Sequence, residues 1–76
     1  MARKRGHHPA LKKVGARLRA ARQHRGLSQE GLAHAAGLER AYVSGVERGQ
    51  FNVSVDVLGR LADVLKIHIR ELFDFN

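Results

Sequence analysis

The side chains best suited to chemistry lie within residues 27–48, and they are hydrogen-bond donors rather than catalytic groups. Gln29 follows Ser28, a favourable helix N-cap, at the start of a helical pattern where free backbone N–H groups attract a phosphate. Arg40 lies in the first turn of the next helical pattern, and an arginine there can donate two parallel hydrogen bonds to guanine O6 and N7. Ser44, four residues later, can reach a base or a phosphate with its hydroxyl. This set of donors favours binding to a nucleic acid.

Each of these side chains also has a plainer interpretation, and their neighbours add further candidates. Arg40 could contact a phosphate instead of a base, and Gln29 could be an ordinary solvated side chain. Ala41 would touch a thymine methyl or serve only as a helix former, while Gly45 would let a helix approach closely. Tyr42 would donate to a phosphate or pack half-buried. Contacts to the sugar-phosphate backbone position a protein without reading sequence. The candidates for that role are Arg17, Gln29, Tyr42, Arg48, Asn52 and the basic segment 1–9.

Helical periodicity runs through most of the chain and predicts the elements that must hold these side chains. We expect helices over residues 10–24, 29–36 and 39–47, a fourth after the cap Ser54, and a short fifth at about residues 68–73. Gly37 would form the turn between the second and third helices, which makes a helix-turn-helix. The predicted fold is all-α, with five helices in residues 10–76 and a flexible basic arm over residues 1–9. The predicted core residues are Leu11, Val14, Leu18, Ala21, Leu32, Ala33, Ala36, Val43, Val46, Val57, Leu58, Leu61, Ala62 and Leu65. The fifth helix carries the apolar residues Ile69, Leu72 and Phe73.

Four glycines fall inside the predicted helices, where each costs about 1 kcal/mol relative to alanine. They are Gly15, Gly31, Gly45 and Gly59. Because the caps and apolar spacing agree with helices throughout, we expect close packing or close approach to DNA to require these small residues.

Charge is the second strong signal in the sequence. The net charge is +7, and residues 1–25 hold nine Lys or Arg and no acid. Such a segment attracts polyanions and speeds encounter with them. A merely soluble surface is the plainer alternative. Lipid binding is disfavoured because the basic run at Arg3 to Arg5 lacks large apolar partners.

Several classes of function are disfavoured by what the sequence lacks. There are no cysteines, no apolar run near eighteen residues and no signal-peptide pattern, which suits a cytoplasmic protein without membrane contact. We expect no metal site from the five histidines, since they lack cysteines or an acidic cluster beside them. No nucleophile motif or glycine-rich phosphate loop is present, so we expect neither an enzyme nor a cofactor. No small-molecule effector is evident.

Taken together, these motifs resemble the lambda-repressor-like, or xenobiotic-response-element (Cro/repressor type), helix-turn-helix family. The resemblance covers about residues 14–73 and is carried by many signals in register. They are Gly15-Ala-Arg-Leu-Arg19, Arg25-Gly-Leu-Ser-Gln-Glu30, Leu32-Ala33, Ala36-Gly-Leu38, Tyr42-Val-Ser44, Val46-Glu-Arg-Gly49, Leu61-Ala62 and Leu65. Within the family, residues 40–49 and Asn52-Val-Ser54 look most like the controller proteins of restriction–modification systems.

The resemblance implies a compact DNA-binding domain and assigns roles to particular residues. It implies that Gln29 contacts a phosphate and braces the third helix. It also implies that Glu47 forms a structural ion pair with Arg22 rather than a DNA contact. As a family of prokaryotic or phage regulators, it implies a nucleoid-associated location in the cytoplasm.

Three departures from the family pattern affect these expectations. Gly31 replaces the glutamate that often completes a capping box with Ser28. Glu39 occupies the cap of the third helix, where its carboxylate could accept from cytosine N4 or repel phosphates. Phe51 stands where relatives frequently have an arginine, so we expect it to pack against the fourth helix or against a dimer partner.

A single recognition helix reads only a few base pairs, so we expect a two-fold homodimer on a palindromic operator. The proposed interface is the carboxyl-terminal apolar set, which exceeds what one small core can absorb. Its members are Ile67, Ile69, Leu72, Phe73 and Phe75. Alternatively, Leu72 and Phe73 close the core of the monomer.

The function that we expect is that of a sequence-specific transcriptional regulator, in one of two forms. One is a restriction–modification controller, and another is an autoregulatory phage-type repressor or antitoxin. Outside this class, the chain would be a nonspecific nucleic-acid-binding or protein-interaction module that uses the helix-turn-helix only as a scaffold.

Overall fold

The fold consists of four α-helices followed by one turn of 3₁₀ helix, in a computed structural model that describes residues 4–74. The elements are α1 (Ala10–His24), α2 (Gln29–Ala36), α3 (Arg40–Glu47), α4 (Val55–Leu65) and the 3₁₀ helix (Ile69–Leu72). The all-α prediction is confirmed, and the predicted fifth helix is the 3₁₀ turn. None of the helices in residues 4–74 has the length and apolar character needed to cross a bilayer.

Capping residues set the helix boundaries as their types predict. Ser28 Oγ accepts from the N–H of Gly31 at 2.9 Å, and Ser54 Oγ accepts from the N–H of Val57 at 3.0 Å. Gly37, with φ of 70°, ends α2 in the left-handed conformation. The third helix begins one residue later than predicted, because Glu39 is its N-cap with an extended backbone and no capping bond from its side chain.

A core of thirteen side chains joins all five elements. Leu72, at the end of the 3₁₀ helix, is fully buried and packs in the centre of the molecule. Its assignment to the dimer interface was therefore wrong, and the alternative that it closes the monomer core is correct. Phe73 is 47% exposed, so the alternative that it also closes the monomer core was wrong. The buried set is Val14, Leu18, Leu32, Ala33, Ala36, Tyr42, Val43, Val46, Leu58, Leu61, Ala62, Leu65 and Leu72.

Two glycines allow α1 to approach the end of α3 closely. A Cβ atom on Gly15 would overlap the carbonyl oxygens of Val46 and Glu47. A Cβ on Gly49, which has φ of 73°, would lie 2.7 Å from the backbone of Lys12. These contacts leave no room for a side chain, so the expectation that close packing requires a small residue holds for Gly15.

The described part of the predicted flexible arm is joined to the rest of the fold. Residues 4–6 lie antiparallel to residues 50–52, with a bridge between Arg5 and Phe51. The N–H of Gly6 donates to the carbonyl of Gln50 at 3.1 Å, and the N–H of Asn52 donates to the carbonyl of Lys4 at 2.9 Å. Sequence periodicity carries no signal for this pairing, because it depends on the loop that follows α3. The predicted interface residue Phe75 lies outside the described residues.

We predict opposite effects for alanine at two of the helical glycines. Open space surrounds the position that a Cβ on Gly59 would take, so Gly59→Ala should raise the free energy of unfolding by about 1 kcal/mol. Gly15→Ala should lower it by about 1–3 kcal/mol, because the methyl group meets backbone that cannot move away cheaply. Urea denaturation of both variants at several protein concentrations measures the difference. Equal effects of the two substitutions would contradict the packing assigned to Gly15.

Candidate nucleic-acid interface

The outward face of α3 carries the side chains predicted to read bases. Arg40 and Ala41 are exposed, and Ser44 is half-buried at the edge of the same face. Arg48, the C-cap of α3, extends this face by one more turn and is exposed. Among residues 4–74, no hydrogen-bond acceptor or carboxylate engages the guanidinium of Arg40. The outward face of α3 is thus a small surface with an arginine at each end, Arg40 and Arg48.

Behind this face lies a buried network of three charged or polar side chains. Arg22 Nε donates to Glu47 Oε2 at 2.7 Å, and Arg22 Nη2 donates to Glu47 Oε1 at 3.2 Å. Gln29 Nε2 donates to the same Oε1 atom at 3.0 Å. The side chains of Arg22 and Glu47 are 10% and 2% exposed. The ion pair implied by the family resemblance is therefore present, in a two-pronged geometry that suits arginine and a carboxylate.

This network fixes the relative positions of three helices. Arg22 comes from α1, Gln29 from the first turn of α2 and Glu47 from the last turn of α3. Arg22 also donates from Nη1 to the carbonyl of Leu27 at 2.7 Å, which holds the loop before α2. A buried charge without a partner is costly, so the correct mutual arrangement of the helices is strongly favoured. The side chain of Gln29 serves as the brace between α2 and α3.

Aromatic packing covers the other side of α3. Tyr42 is 6% exposed, and its ring centroid lies 5.8 Å from that of Phe51. The ring of Phe51 also occupies the space that a Cβ on Gly45 would need. The expectation of close packing therefore holds at Gly45, and a side chain there would face Phe51 rather than DNA. Phe51 packs on α3 and against the core, a contact with α3 that the sequence did not predict.

Several predicted site residues lie elsewhere in the fold. Arg17 Nε donates to the carbonyl of Glu71 at 3.1 Å, on the side of α1 that contacts the 3₁₀ helix. Position 17 is two residues from Gly15, which faces α3, so the two point to different sides of α1. The structure does not bring Arg17 to the exposed face of α3. Asn52 is exposed in the loop after α3, next to the paired segment.

The proposed association surface lies on α4 and the 3₁₀ helix. Ile67 and Ile69 are partly buried against the core, while Phe73 is largely exposed. Val55, which is 70% exposed, lines a groove of about 480 Å³ together with both isoleucines. Sequence reasoning missed Val55. The sequence did contain a signal for Val55: it is an apolar residue that lies outside the apolar stripe of α4, and that stripe begins at Val57.

The exposed face of α3 offers hydrogen-bond donors for binding. No group of three histidine or acidic side chains that could hold a metal ion occurs in the part of the chain that is described. The buried carboxylate of Glu47 is engaged by Arg22 and Gln29 at the distances given above. What the surface offers is hydrogen-bond donors on a rigid helix, with positive charge at both ends.

Comparison with known proteins places most of the chain within one family. Residues 18–72 match the helix-turn-helix family model HTH_3. The restriction-modification controller protein C.AhdI from Aeromonas hydrophila shares 55% sequence identity and superposes with a TM-score of 0.84. That similarity covers 87% of this chain and 100% of C.AhdI.

Two further relatives extend the comparison. The control protein C.BamHI from Bacillus amyloliquefaciens is 41% identical over 49 residues, which cover 64% of this chain and 60% of that protein. The chain thus spans less than two thirds of the length of C.BamHI. The biofilm regulator SinR of Bacillus subtilis, whose structure was solved in complex with DNA, shares 34% identity with a TM-score of 0.76. That match covers 80% of this chain and 98% of the solved SinR chain.

We predict strong energetic coupling between Arg22 and Glu47. Arg22→Met or Glu47→Leu alone should lower the free energy of unfolding by about 3–5 kcal/mol, because each leaves a buried charge without its partner. The double variant should lose less than the sum of the two, since it leaves neither charge behind. Arg25→Met, at an exposed arginine that ends α1, is the control and should change stability by less than about 0.5 kcal/mol. Additive losses in urea denaturation would contradict the buried ion pair.

Proposed function

Since the chain belongs to the helix-turn-helix family, we propose that it is a sequence-specific transcriptional regulator that binds double-stranded DNA as a homodimer. The observation that carries this proposal is the exposed face of α3, which the buried network of Arg22, Gln29 and Glu47 holds against α2. A short helix held in this way can enter the major groove, where hydrogen-bond patterns distinguish all four base pairs.

Base reading is assigned to three residues on α3. Arg40, exposed and without a protein acceptor in residues 4–74, donates to the major-groove edge of guanine. Ala41 contacts a thymine methyl, and Ser44 donates from its hydroxyl to a base. These three residues offer few hydrogen bonds, so dimer spacing and DNA shape contribute the rest of the specificity.

Backbone contacts would fix the position of this helix in the groove. The first N–H groups of α2 begin at Gln29, and the positive end of the helix dipole favours a phosphate there. Arg48 and Asn52, both exposed after α3, are the other candidates. Tyr42 is a weaker candidate because its ring is buried against Phe51. Arg17 is the weakest, since its guanidinium donates to Glu71 on another side of α1.

Dimer formation is proposed to use the apolar surface around Ile67, Ile69 and Phe73. A second copy that covers the exposed part of these apolar side chains lowers the free energy of the pair. A two-fold dimer presents two copies of α3 to successive major grooves, about 34–36 Å apart. We expect the groove beside Val55 to lie in or next to this interface.

The physiological role that we propose is that of a restriction–modification controller. The similarity to C.AhdI, which spans the whole of that protein, supports this choice over a general repressor. The protein then regulates through its own concentration, because dimer formation and operator binding both increase with it. Binding and regulation need no catalysis, so we propose no enzymatic activity.

Substitution of the proposed base reader should change specificity at one position. Arg40→Ala should lose about 1–3 kcal/mol of discrimination at a single base pair, because only the paired donors to guanine disappear. Gln29→Ala should instead weaken binding to all sequences by a similar factor. Selection of binding sites from random DNA by the native protein and both variants measures this. An unchanged site preference for Arg40→Ala would overturn its assignment as reader, and a native protein without any preferred site would overturn the proposed function.

Charge placed on the association surface should convert dimers to monomers. Phe73→Asp should weaken self-association at least tenfold without unfolding the domain, since the side chain is already 47% exposed. Gln23→Asp, on the exposed surface of α1, adds the same charge elsewhere and should leave the dimer intact. Sedimentation equilibrium over a range of concentrations separates the two outcomes. A native protein that stays monomeric at high concentration would refute the dimer.

A further inference from the structure

The paired segment at residues 4–6 and the loop after α3 together build a pocket that the family resemblance does not predict. Backbone hydrogen bonds join residues 4–6 to residues 50–52 on both sides of the bridge between Arg5 and Phe51. Gly6 is tightly enclosed, because a Cβ on it would overlap Leu11 and the side chain of Asn52. The segment is therefore held in one place by contacts that leave no space for a side chain at Gly6.

The pocket opens between this segment, the first turn of α1 and the end of α3, with a volume of about 690 Å³. Its walls contain cationic or hydrogen-bond-donating side chains and no carboxylate. These are Arg5, His7, His8, Lys12 and Arg48. The close contact between Gly49 and the backbone of Lys12 brings the positive charges of α1 and α3 to the same site.

Local hydrogen bonds orient the groups that line the pocket. His8 Nδ1 accepts from the N–H of Ala10 at 3.0 Å, so the proton of its neutral ring lies on Nε2, where it can be donated to a ligand. Arg48 Nη2 donates to Gln50 Oε1 at 3.1 Å, which leaves its other N–H groups available. Three guanidinium or ammonium groups around one opening repel one another, and a bound anion removes that cost.

We propose that this pocket binds the phosphate backbone of DNA beside the groove that α3 enters, so that the paired segment is a fixed part of the DNA-binding surface. Arg48 both lines the pocket and ends the exposed face of α3, so a duplex on that face would pass the opening. The position of the opening beside the exposed face of α3 favours the backbone of a bound duplex over a free phosphate. The inference rests on the proposed function and adds a second surface to it.

Three variants test whether the pocket binds the phosphate backbone of DNA. Arg5→Gln and Lys12→Gln each remove one of its positive charges. Gly6→Val keeps every charge, but its side chain overlaps Leu11 and Asn52 and should displace the segment. Lys66→Gln removes the same charge at the exposed end of α4 and serves as the control. Circular dichroism during heating checks that each variant folds.

The measurement is the affinity for a DNA duplex selected from random sequence, taken over a range of salt concentrations. For the native protein, the logarithm of the affinity should fall linearly with the logarithm of the salt concentration. Arg5→Gln, Lys12→Gln and Gly6→Val should each reduce the slope by about 1 for each protomer, which is about 2 for a dimer on the duplex, and the affinity at 0.1 M salt by roughly 5–10-fold. Lys66→Gln should change neither.

Four outcomes would overturn the inference. They are unchanged slopes for Arg5→Gln and Lys12→Gln, an equal effect of Lys66→Gln, native behaviour of a folded Gly6→Val protein, and binding of inorganic phosphate that depends on Arg5 while DNA binding does not. The last would make the pocket a site for a free anion. If the native protein bound no DNA at all, the proposed function itself would fail, and the salt series would distinguish that result from failure of the pocket.

Discussion

The contact between Glu47 and its two donors, Arg22 and Gln29, is the interaction on which the rest of the molecule depends. One carboxylate at the end of α3 receives hydrogen bonds from α1 and from the start of α2, within an interior that has little other polar surface. Apolar packing alone tolerates small rotations of a helix. A buried charge with directional partners does not, because a lost hydrogen bond inside the protein is not replaced by water. The outward orientation of Arg40 and Ala41 follows from this constraint.

Close backbone approach is the second constraint, and it explains why the chain accepts glycines within helices. Gly15 lets α1 lie directly on the last turn of α3, and Gly45 lets the ring of Phe51 lie against the same helix. Both positions give up helix propensity, at about 1 kcal/mol each, in exchange for contacts that hold an eight-residue helix in place. A helix so short has little stability of its own in water, so its structure depends on its neighbours.

The chain divides its surface between two physical tasks. Cationic groups gather around α1 and both ends of α3, while exposed apolar groups gather on α4 and after the 3₁₀ helix. In the proposed function, this separation lets DNA and a second copy of the chain bind without competing for the same groups. The core is small, yet Leu72 from the last element is fully buried in it, so the proposed association surface and the proposed DNA-binding surface share one core.

Local patterns determined the helices, because Ser28, Ser54 and Gly37 act through bonds to residues only a few positions away. Periodicity likewise predicted most of the core and the exposed positions Arg40 and Ala41, while the family resemblance implied the pair of Arg22 and Glu47. Tertiary structure alone decided which side of α1 carries Arg17, that Phe51 packs over Gly45, that Leu72 is buried, and that residues 4–6 pair with the loop after α3. Each of these depends on how segments distant in sequence meet. No local signal encodes that meeting, because the free energy that favours it comes from packing and hydrogen bonds formed only in the folded chain.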